Sequence, residues 1–242
     1  MSLTYLKRAI RTGEQSLSDV REIVQKILTD IKKGGDKKAL EFARKFDNYD
    51  GKIILTAEDI AEASEKVSER IKDDIQFAYE NVKKFAEAQK ATLHDFNIDI
   101  VSEFTAGQKY IPCNSVGCYI PGGRYSHVAS AIMTVTTAKV AGCTHISACS
   151  PPRPDVGINP AIIYTADLCG ADTILAMGGV QAIAAMTYGL FDLPKADILV
   201  GPGNQYVAEA KRLLFGQVGL DMVAGPTDSL ILADETADEE VV

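Results

Sequence analysis

The sequence predicts an α/β fold in which a doubly wound parallel sheet is preceded by a helix-rich α/β segment. Three observations support this prediction. From residue 115 onward, short apolar runs alternate with stretches of helical periodicity. Each run is followed by a turn that is rich in glycine or proline. Before residue 110 the chain is rich in charge, and its apolar residues recur mostly at helical spacing.

Size and composition exclude several classes of protein. The chain has 242 residues, of which 46% are apolar and 24% charged, as in an ordinary globular protein. No apolar run reaches the roughly 20 residues that span a bilayer, and the first residues lack the apolar core of a secretory signal. A net charge of −8 argues against nucleic-acid binding, and five irregularly spaced cysteines indicate free thiols. We therefore expect a cytoplasmic protein that handles a small molecule.

The first half is predicted to be mostly helical. Ser18 is a suitable N-cap for an amphipathic helix over residues 18–33, which ends at Gly34-Gly35. This helix covers either the core of its own chain or that of a partner. A second helix is predicted from Asp36 to Phe46.

A strand and two further helices follow. Lys52–Leu55 has the composition of a strand, and Thr56 then caps a long helical region that breaks near Glu69. Asp59 lies in the first turn of that region. Residues 96–104 alternate between apolar and polar side chains, which predicts an exposed strand or hairpin.

The second half reads as repeated strand–helix units, and right-handed crossovers make such a sheet parallel. The predicted strands are residues 116–120, 145–149, 173–176, 198–200 and 222–223, and the predicted helices are residues 129–141, 159–169, 179–188 and 204–215.

The loops after these strands form one rim, which is where open α/β sheets bind ligands. Several of the loops carry glycines and lead into helices, so their free N–H groups and positive helix ends favour an anionic ligand such as a nucleotide phosphate. The alternative is that these glycines and prolines only make tight turns. The GxGxxG fingerprint of dinucleotide sites is absent.

Three residues at this rim are candidates for ligand contact. Gln181 lies in the first turn of its helix, where neither capping nor core packing requires an amide. Asn204 opens a helix, so it is an N-cap, a ligand contact or both. Tyr119 ends a strand before a glycine turn, and it either packs in the core or lines the pocket.

Arg124 and His127 follow the first glycine turn together with two hydroxyl residues. A cation and an imidazole near a helix start suit a carboxylate, phosphate or sulfonate, whereas the alternative is a solvated loop. The sequence offers no Ser-His-Asp or Cys-His arrangement and no cluster of residues with metal-ligand spacing.

Several motifs, in order and at compatible spacing, resemble the histidinol dehydrogenase family. They are Tyr119-Ile-Pro-Gly-Gly123, Gly178-Gly-Val-Gln-Ala-Ile-Ala-Ala185, Gly201-Pro-Gly-Asn204, Glu209-Ala-Lys-Arg212 and Ala224-Gly-Pro226. The resemblance implies an incomplete Rossmann-like sheet and a zinc-dependent, NAD-linked homodimer. Such enzymes oxidise an alcohol such as histidinol through an aldehyde to a carboxylate.

The resemblance also implies roles for particular residues. Tyr119, Gln181 and Asn204 would contact NAD, and Thr227 would contact the substrate. Thr227-Asp228 stands where the family usually has serine followed by glutamate. The segment from Arg124 to Ser130 is more similar to the sulfopropanediol dehydrogenase branch, which oxidises dihydroxypropanesulfonate. Arg124 and His127 would then anchor the sulfonate.

The resemblance further predicts how the chain is organised. Residues 1–15 would form an N-terminal arm, 16–118 the helix-rich first part of domain one, 119–228 the Rossmann-like NAD-binding domain, and 229–242 a return to domain one. The zinc ligands and the catalytic residues are expected beyond residue 242, so that the present chain alone would be inactive. The alternative from another class is a short, non-catalytic nucleotide-binding module.

Overall fold

A computed structural model describes residues 17–122, 126–154 and 156–222, together with Asp234, Thr236 and Ala237. None of the helices in these ranges combines the length and the apolarity that crossing a membrane requires. The helices are α1 (Leu17–Asp47), α2 (Ala57–Glu65), α3 (Glu69–Lys90), α4 (Val128–Ala131), a π-helical turn (Ile132–Thr136), α5 (Thr137–Ala141), α6 (Pro160–Cys169), α7 (Gly179–Tyr188) and α8 (Gln205–Leu214). The strands are β1 (Phe96–Val101), β2 (Phe104–Gln108), β3 (Ser115–Tyr119), β4 (His145–Ser150), β5 (Thr173–Ala176), β6 (Ile198–Val200) and β7 (Gly219–Leu220).

The main sheet is parallel and has the strand order β5-β4-β3-β6-β7. The chain starts this sheet at β3, extends it to one side through β4 and β5, and then crosses back to add β6 and β7 on the other side. The predicted doubly wound parallel sheet is therefore confirmed. Its strand order reverses between β3 and β6, and this switch point is where such sheets open a crevice.

Helices cover both faces of the sheet. On one face α1 packs against α7 and α8, and on the other face α2 packs against α6 and α3 against α5. Val24 and Ile31 of α1 are completely buried in the first of these two cores. Helix α1 thus covers the core of its own chain. The division into domains at residues 118 and 119 stays a prediction.

Helix α1 bends at Gly35, where the sequence predicts one helix to end and another to begin. Gly35 has a φ of 57° and a ψ of −147°, a conformation that is almost restricted to glycine. Helical backbone resumes directly after it and continues to Asp47, so the two predicted helices are present as the two halves of α1, joined at this kink. The bend lets both halves of α1 follow the same sheet face.

The helices after the first predicted strand form as expected. The Thr56 hydroxyl accepts a hydrogen bond from the Asp59 N–H, and the Asp59 carboxylate accepts one from the Thr56 N–H, which completes a capping box. The predicted break separates α2 from α3, and Ser68 caps α3.

Two of the strand predictions need correction. Residues 52–55 form only an isolated antiparallel bridge between Ile54 and Leu175 at the edge of the sheet, because α2 begins immediately afterwards. Among the described residues the last strand is Gly219–Leu220, which lies before the predicted position, since the N–H of Gly219 already pairs with the Asp197 carbonyl at 2.8 Å. Met222 lies past this strand, and Val223 lies outside the described residues.

The predicted exposed hairpin is present. Strands β1 and β2 pair antiparallel as a separate two-stranded sheet. Its apolar side chains remain largely exposed, including those of Phe96, Ile98, Ile100 and Phe104.

Candidate functional site

A cavity of about 750 Å³ opens at the carboxyl end of the parallel sheet. It lies at the switch point, because residues that follow β3 and β6 both line it, and the start of α7 and the end of α1 complete the wall. This is the position that general rules for open α/β sheets assign to a ligand. The lining residues include Ile23, Ile27, Phe46, Asp47, Tyr119, Pro121, Gly122, His127, Pro151, Gly179, Val180, Gln181, Pro202, Gly203, Asn204 and Tyr206.

The start of α7 faces the cavity with donors that are fixed in place. The N–H of Gly178 donates to Asp47 Oδ2 at 3.1 Å, and the N–H of Gly179 donates to the Tyr119 hydroxyl at 3.2 Å. The next two N–H groups, of Val180 and Gln181, have no acceptor among the described residues. Two free donors and the positive end of the helix dipole suit an anionic group.

Tyr119 packs in the core and also lines the cavity, so both alternatives that the sequence left open are correct. Its side chain is 4% exposed, and its hydroxyl reaches the start of α7. Burial raises the pKa of the hydroxyl well above its ordinary value, so the group remains neutral and retains its own proton to donate.

Gln181 is buried, with 1% exposure, and its Nε2 donates to Asp47 Oδ2 at 3.1 Å. The amide nitrogen of Gln181 therefore already has a hydrogen-bond acceptor within the chain, and nothing in the sequence indicates this contact. Burial raises the pKa of the Asp47 carboxyl, while the hydrogen bonds from Gly178 and Gln181 oppose that rise. Contact between Gln181 and NAD stays a prediction.

Asn204 is the N-cap of α8, as predicted. Its Oδ1 accepts hydrogen bonds from the N–H groups of Tyr206 at 3.0 Å and Val207 at 3.1 Å. Its amide nitrogen has no acceptor among the described residues, and the residue lines the cavity. Asn204 thus caps the helix and retains a donor for a ligand.

The glycine loop after β6 is held by an ion pair with a buried lysine, which the sequence reasoning missed. Lys211 is 4% exposed, and its Nζ donates to the Gly201 carbonyl at 3.1 Å and to the Asp221 carboxylate. Asp221 in turn accepts the Gly201 N–H at 2.8 Å. Gly201 has a φ of 109°, and a Cβ there would collide with the Tyr119 carbonyl, so this close approach of β3 and the loop requires glycine.

A signal for Lys211 was present in the sequence. It lies four residues after Val207 and three before Leu214, so a charged residue occupies the apolar face of α8. Such a residue must be paired when it is buried. Asp47 carries no comparable signal, because it simply ends a helix.

Of the three remaining candidate residues, the structure describes only His127. His127 is exposed and lines the cavity next to the start of α4. Arg124 and Thr227, the remaining candidates for substrate contact, lie outside the described residues. Among the residues that the structure describes, no three His, Cys, Asp or Glu side chains are grouped so that they could hold a metal ion.

Comparison with known proteins identifies the family. The profile of the family described as histidinol dehydrogenase matches residues 10–242. The chain belongs to the histidinol dehydrogenase family. A crystal structure of histidinol dehydrogenase from Elizabethkingia anophelis superimposes with a TM-score of 0.82 at 36% identity, over 91% of this chain and 50% of that one.

Individual family members differ in their similarity to this chain. A sulfopropanediol 3-dehydrogenase from Ruegeria pomeroyi is 64% identical over all 242 residues, which cover 56% of that protein. A histidinol dehydrogenase from Methanococcus maripaludis is 39% identical over 96% of this chain and 55% of that protein. The chain thus spans about half the length of these family members.

The ion pair of Lys211 and Asp221 leads to a stability prediction. Lys211→Met keeps much of the side-chain length but leaves the Asp221 carboxylate without its cation. We expect the free energy of unfolding to fall by about 1–2 kcal/mol, because the Gly201 carbonyl and Asp221 lose a charged donor while Asp221 itself stays accessible to water. Chemical denaturation measures this change. The control is Lys84→Met at an exposed position of α3, which we expect to change stability by less than about 0.5 kcal/mol. Equal effects of the two substitutions would contradict the prediction.

Proposed function

We propose that this chain forms the NAD-binding part of a dehydrogenase that oxidises an alcohol to a carboxylate. The observation that carries the proposal is the cavity at the switch point, where the starts of α7 and α8 meet. Family membership supports the same reaction class. Bound NAD supplies the hydride acceptor for such an oxidation.

The residues of the cavity fit a dinucleotide. The N–H groups of Val180 and Gln181 and the amide nitrogen of Asn204 would hold the negatively charged pyrophosphate. The buried Tyr119 hydroxyl fixes the first turn of α7 and so keeps these donors in position. The absence of GxGxxG is compatible with this arrangement, because the donors come from two helix starts and not from one glycine-rich loop.

Zinc belongs to the proposal through family resemblance alone. No ligand set is found among the described residues, so we assign zinc to none of them and derive no step from it. The cytoplasmic location likewise stays a prediction.

The substrate that we propose is a sulfonated diol, dihydroxypropanesulfonate, and histidinol is the second candidate. The 64% identity to a sulfopropanediol 3-dehydrogenase, against 39% to a histidinol dehydrogenase, supports the sulfonated substrate. The position of His127 on the cavity wall also supports it, because an imidazole N–H can donate a hydrogen bond to a sulfonate.

We also propose that the protein is a homodimer. Phe96, Ile98 and Ile100 alternate along β1, and each is about half exposed, at 48%, 52% and 52%. Side chains that alternate along a strand share one face, so the hairpin carries an apolar surface of the kind that mediates association.

The cofactor proposal is tested by substitution at the cap of α8. Asn204→Asp keeps the oxygen that caps the helix but replaces the amide donor with an anionic oxygen, so we expect stability to be retained and the affinity for NAD to fall roughly tenfold or more. Calorimetric titration measures the affinity. Asn159→Asp is the matched control, since Asn159 caps α6 and does not line the cavity. If the unaltered chain binds no NAD, the proposal is wrong.

The substrate proposal is tested by NADH production in the whole protein that carries this sequence. We expect turnover of dihydroxypropanesulfonate and little turnover of histidinol. Arg124→Ala should raise the KM for the sulfonate roughly tenfold, because the proposed charge-assisted contact is lost. Arg153→Ala should not raise it, since Arg153 does not line the cavity. A preference for histidinol would overturn the sulfonate proposal and leave the dehydrogenase proposal standing.

The dimer proposal is tested by light scattering. We expect the mass of two chains, and we expect Ile98→Asp to shift the population towards the monomer because it places a charge on the apolar face. Asn97→Asp, on the opposite face of β1, is the control. A monomeric unaltered chain would contradict the prediction.

A further inference from the structure

The end of α1 contributes to the cavity a carboxylate whose two oxygens differ in their surroundings. Oδ2 of Asp47 accepts two hydrogen bonds, from the Gly178 N–H and from Gln181 Nε2, both at 3.1 Å. Oδ1 has no hydrogen-bond donor among the described residues. The two donors fix the orientation of the carboxylate and leave Oδ1, on a residue that lines the cavity, as an acceptor.

Such an oxygen selects what binds beside it. It accepts a hydrogen bond from a hydroxyl group and repels a phosphate. None of the described lining residues is a lysine or an arginine, so no cation among them neutralises this carboxylate or compensates a phosphate placed next to it. Asp47 itself lies at the start of α7, because its Oδ2 accepts the Gly178 N–H. The space next to Oδ1 therefore favours a sugar hydroxyl, whereas the free N–H groups of Val180 and Gln181 and the start of α8 favour an anion.

The surface next to Asp47 is apolar. Ile23, Ile27 and Phe46 of α1 line the same cavity, and Phe46 and Ile23 are 51% and 42% exposed. Aromatic and aliphatic side chains of this kind provide a surface on which a planar base can lie. An apolar surface beside a single hydroxyl acceptor matches the chemistry of a nucleoside, which joins a base to a ribose diol.

We propose that Asp47 binds the adenosine ribose through Oδ1 and thereby makes the cavity select NAD over NADP. The proposal rests on the proposed function, because it assumes that the cavity binds a nicotinamide dinucleotide. An unmodified 2′-hydroxyl donates a hydrogen bond to the carboxylate. The 2′-phosphate of NADP is repelled by the negative charge of the carboxylate. Asp47 is thus a specificity-determining residue that also positions α7.

Two substitutions separate these two roles of Asp47. In Asp47→Asn the amide oxygen can take the place of Oδ2 and accept from Gly178 and Gln181, while the amide NH₂ replaces the free acceptor. In Asp47→Ala both the anchor and the acceptor are lost. Asp36→Asn is the matched control, because Asp36 also lies on α1 and accepts a backbone N–H, that of Phe191 at 3.0 Å, but does not line the cavity.

The experiment measures the dissociation constants of NAD and NADP for each variant, together with the thermal unfolding midpoint. We expect the unaltered chain to prefer NAD. We expect Asp47→Asn to keep the thermal midpoint of the unaltered chain, while its ratio of the NADP to the NAD dissociation constant falls at least tenfold. We expect Asp36→Asn to leave this ratio unchanged. We expect Asp47→Ala to lose both preference and stability.

The possible failures are distinguishable. If the unaltered chain binds NAD and Asp47→Asn retains the full preference, the inference about Asp47 is overturned and the proposed function stands. If the unaltered chain binds neither dinucleotide, both are overturned. If Asp36→Asn changes the preference as much as Asp47→Asn does, the effect is not specific to the cavity and the inference is overturned.

Discussion

The pairing of β3 with two parallel neighbours is the constraint on which the rest of the structure depends. All five residues of β3 are buried, and the strand pairs with β4 on one side and β6 on the other. A Cβ at Gly117 in this strand would press against the side chains of Leu199 and Met186, so the sheet and α7 pack closely at this point. Because the chain leaves β3 in one direction and returns to its other edge, the loops after β3 and β6 diverge and leave the cavity between them.

The cavity obtains its chemical character from helix starts that are held by side chains from elsewhere in the fold. Asp47 and Tyr119 fix the first turn of α7, while Lys211 and Asp221 fix the loop that leads into α8. Backbone donors held in this way need little reorganisation when an anion binds, which is the benefit of a rigid site. The apolar wall of α1 and Oδ1 of Asp47 lie beside the start of α7 and suit other groups than these donors do. The proposed dinucleotide requires both kinds of surface, because it is anionic in one part and a nucleoside in another.

Much of the fold and part of the candidate site could be predicted from the sequence because the relevant forces act locally. The kink at Gly35, the capping box of Thr56 and the cap at Asn204 follow from backbone preferences and from contacts within a few residues. The glycine turns similarly marked the rim of the sheet. The prediction was wrong at Met222, where hydrophobicity suggested a strand but pairing with β6 uses Gly219 and Leu220. It was incomplete at Gln181, whose amide is bound to Asp47.

The sequence by itself determined most of the elements, their order and the rim that open α/β sheets use for ligands, since periodicity and turn residues encode all three. Only the tertiary structure decided which side chains meet at that rim. Asp47 lies 131 residues before Gly178, and Lys211 joins Asp221 across the end of a helix. No local pattern specifies such contacts, because they exist only after α1 and α8 have packed on the same face of the sheet. The arrangement of the free N–H groups and of the Asp47 carboxylate in the cavity depends on those contacts.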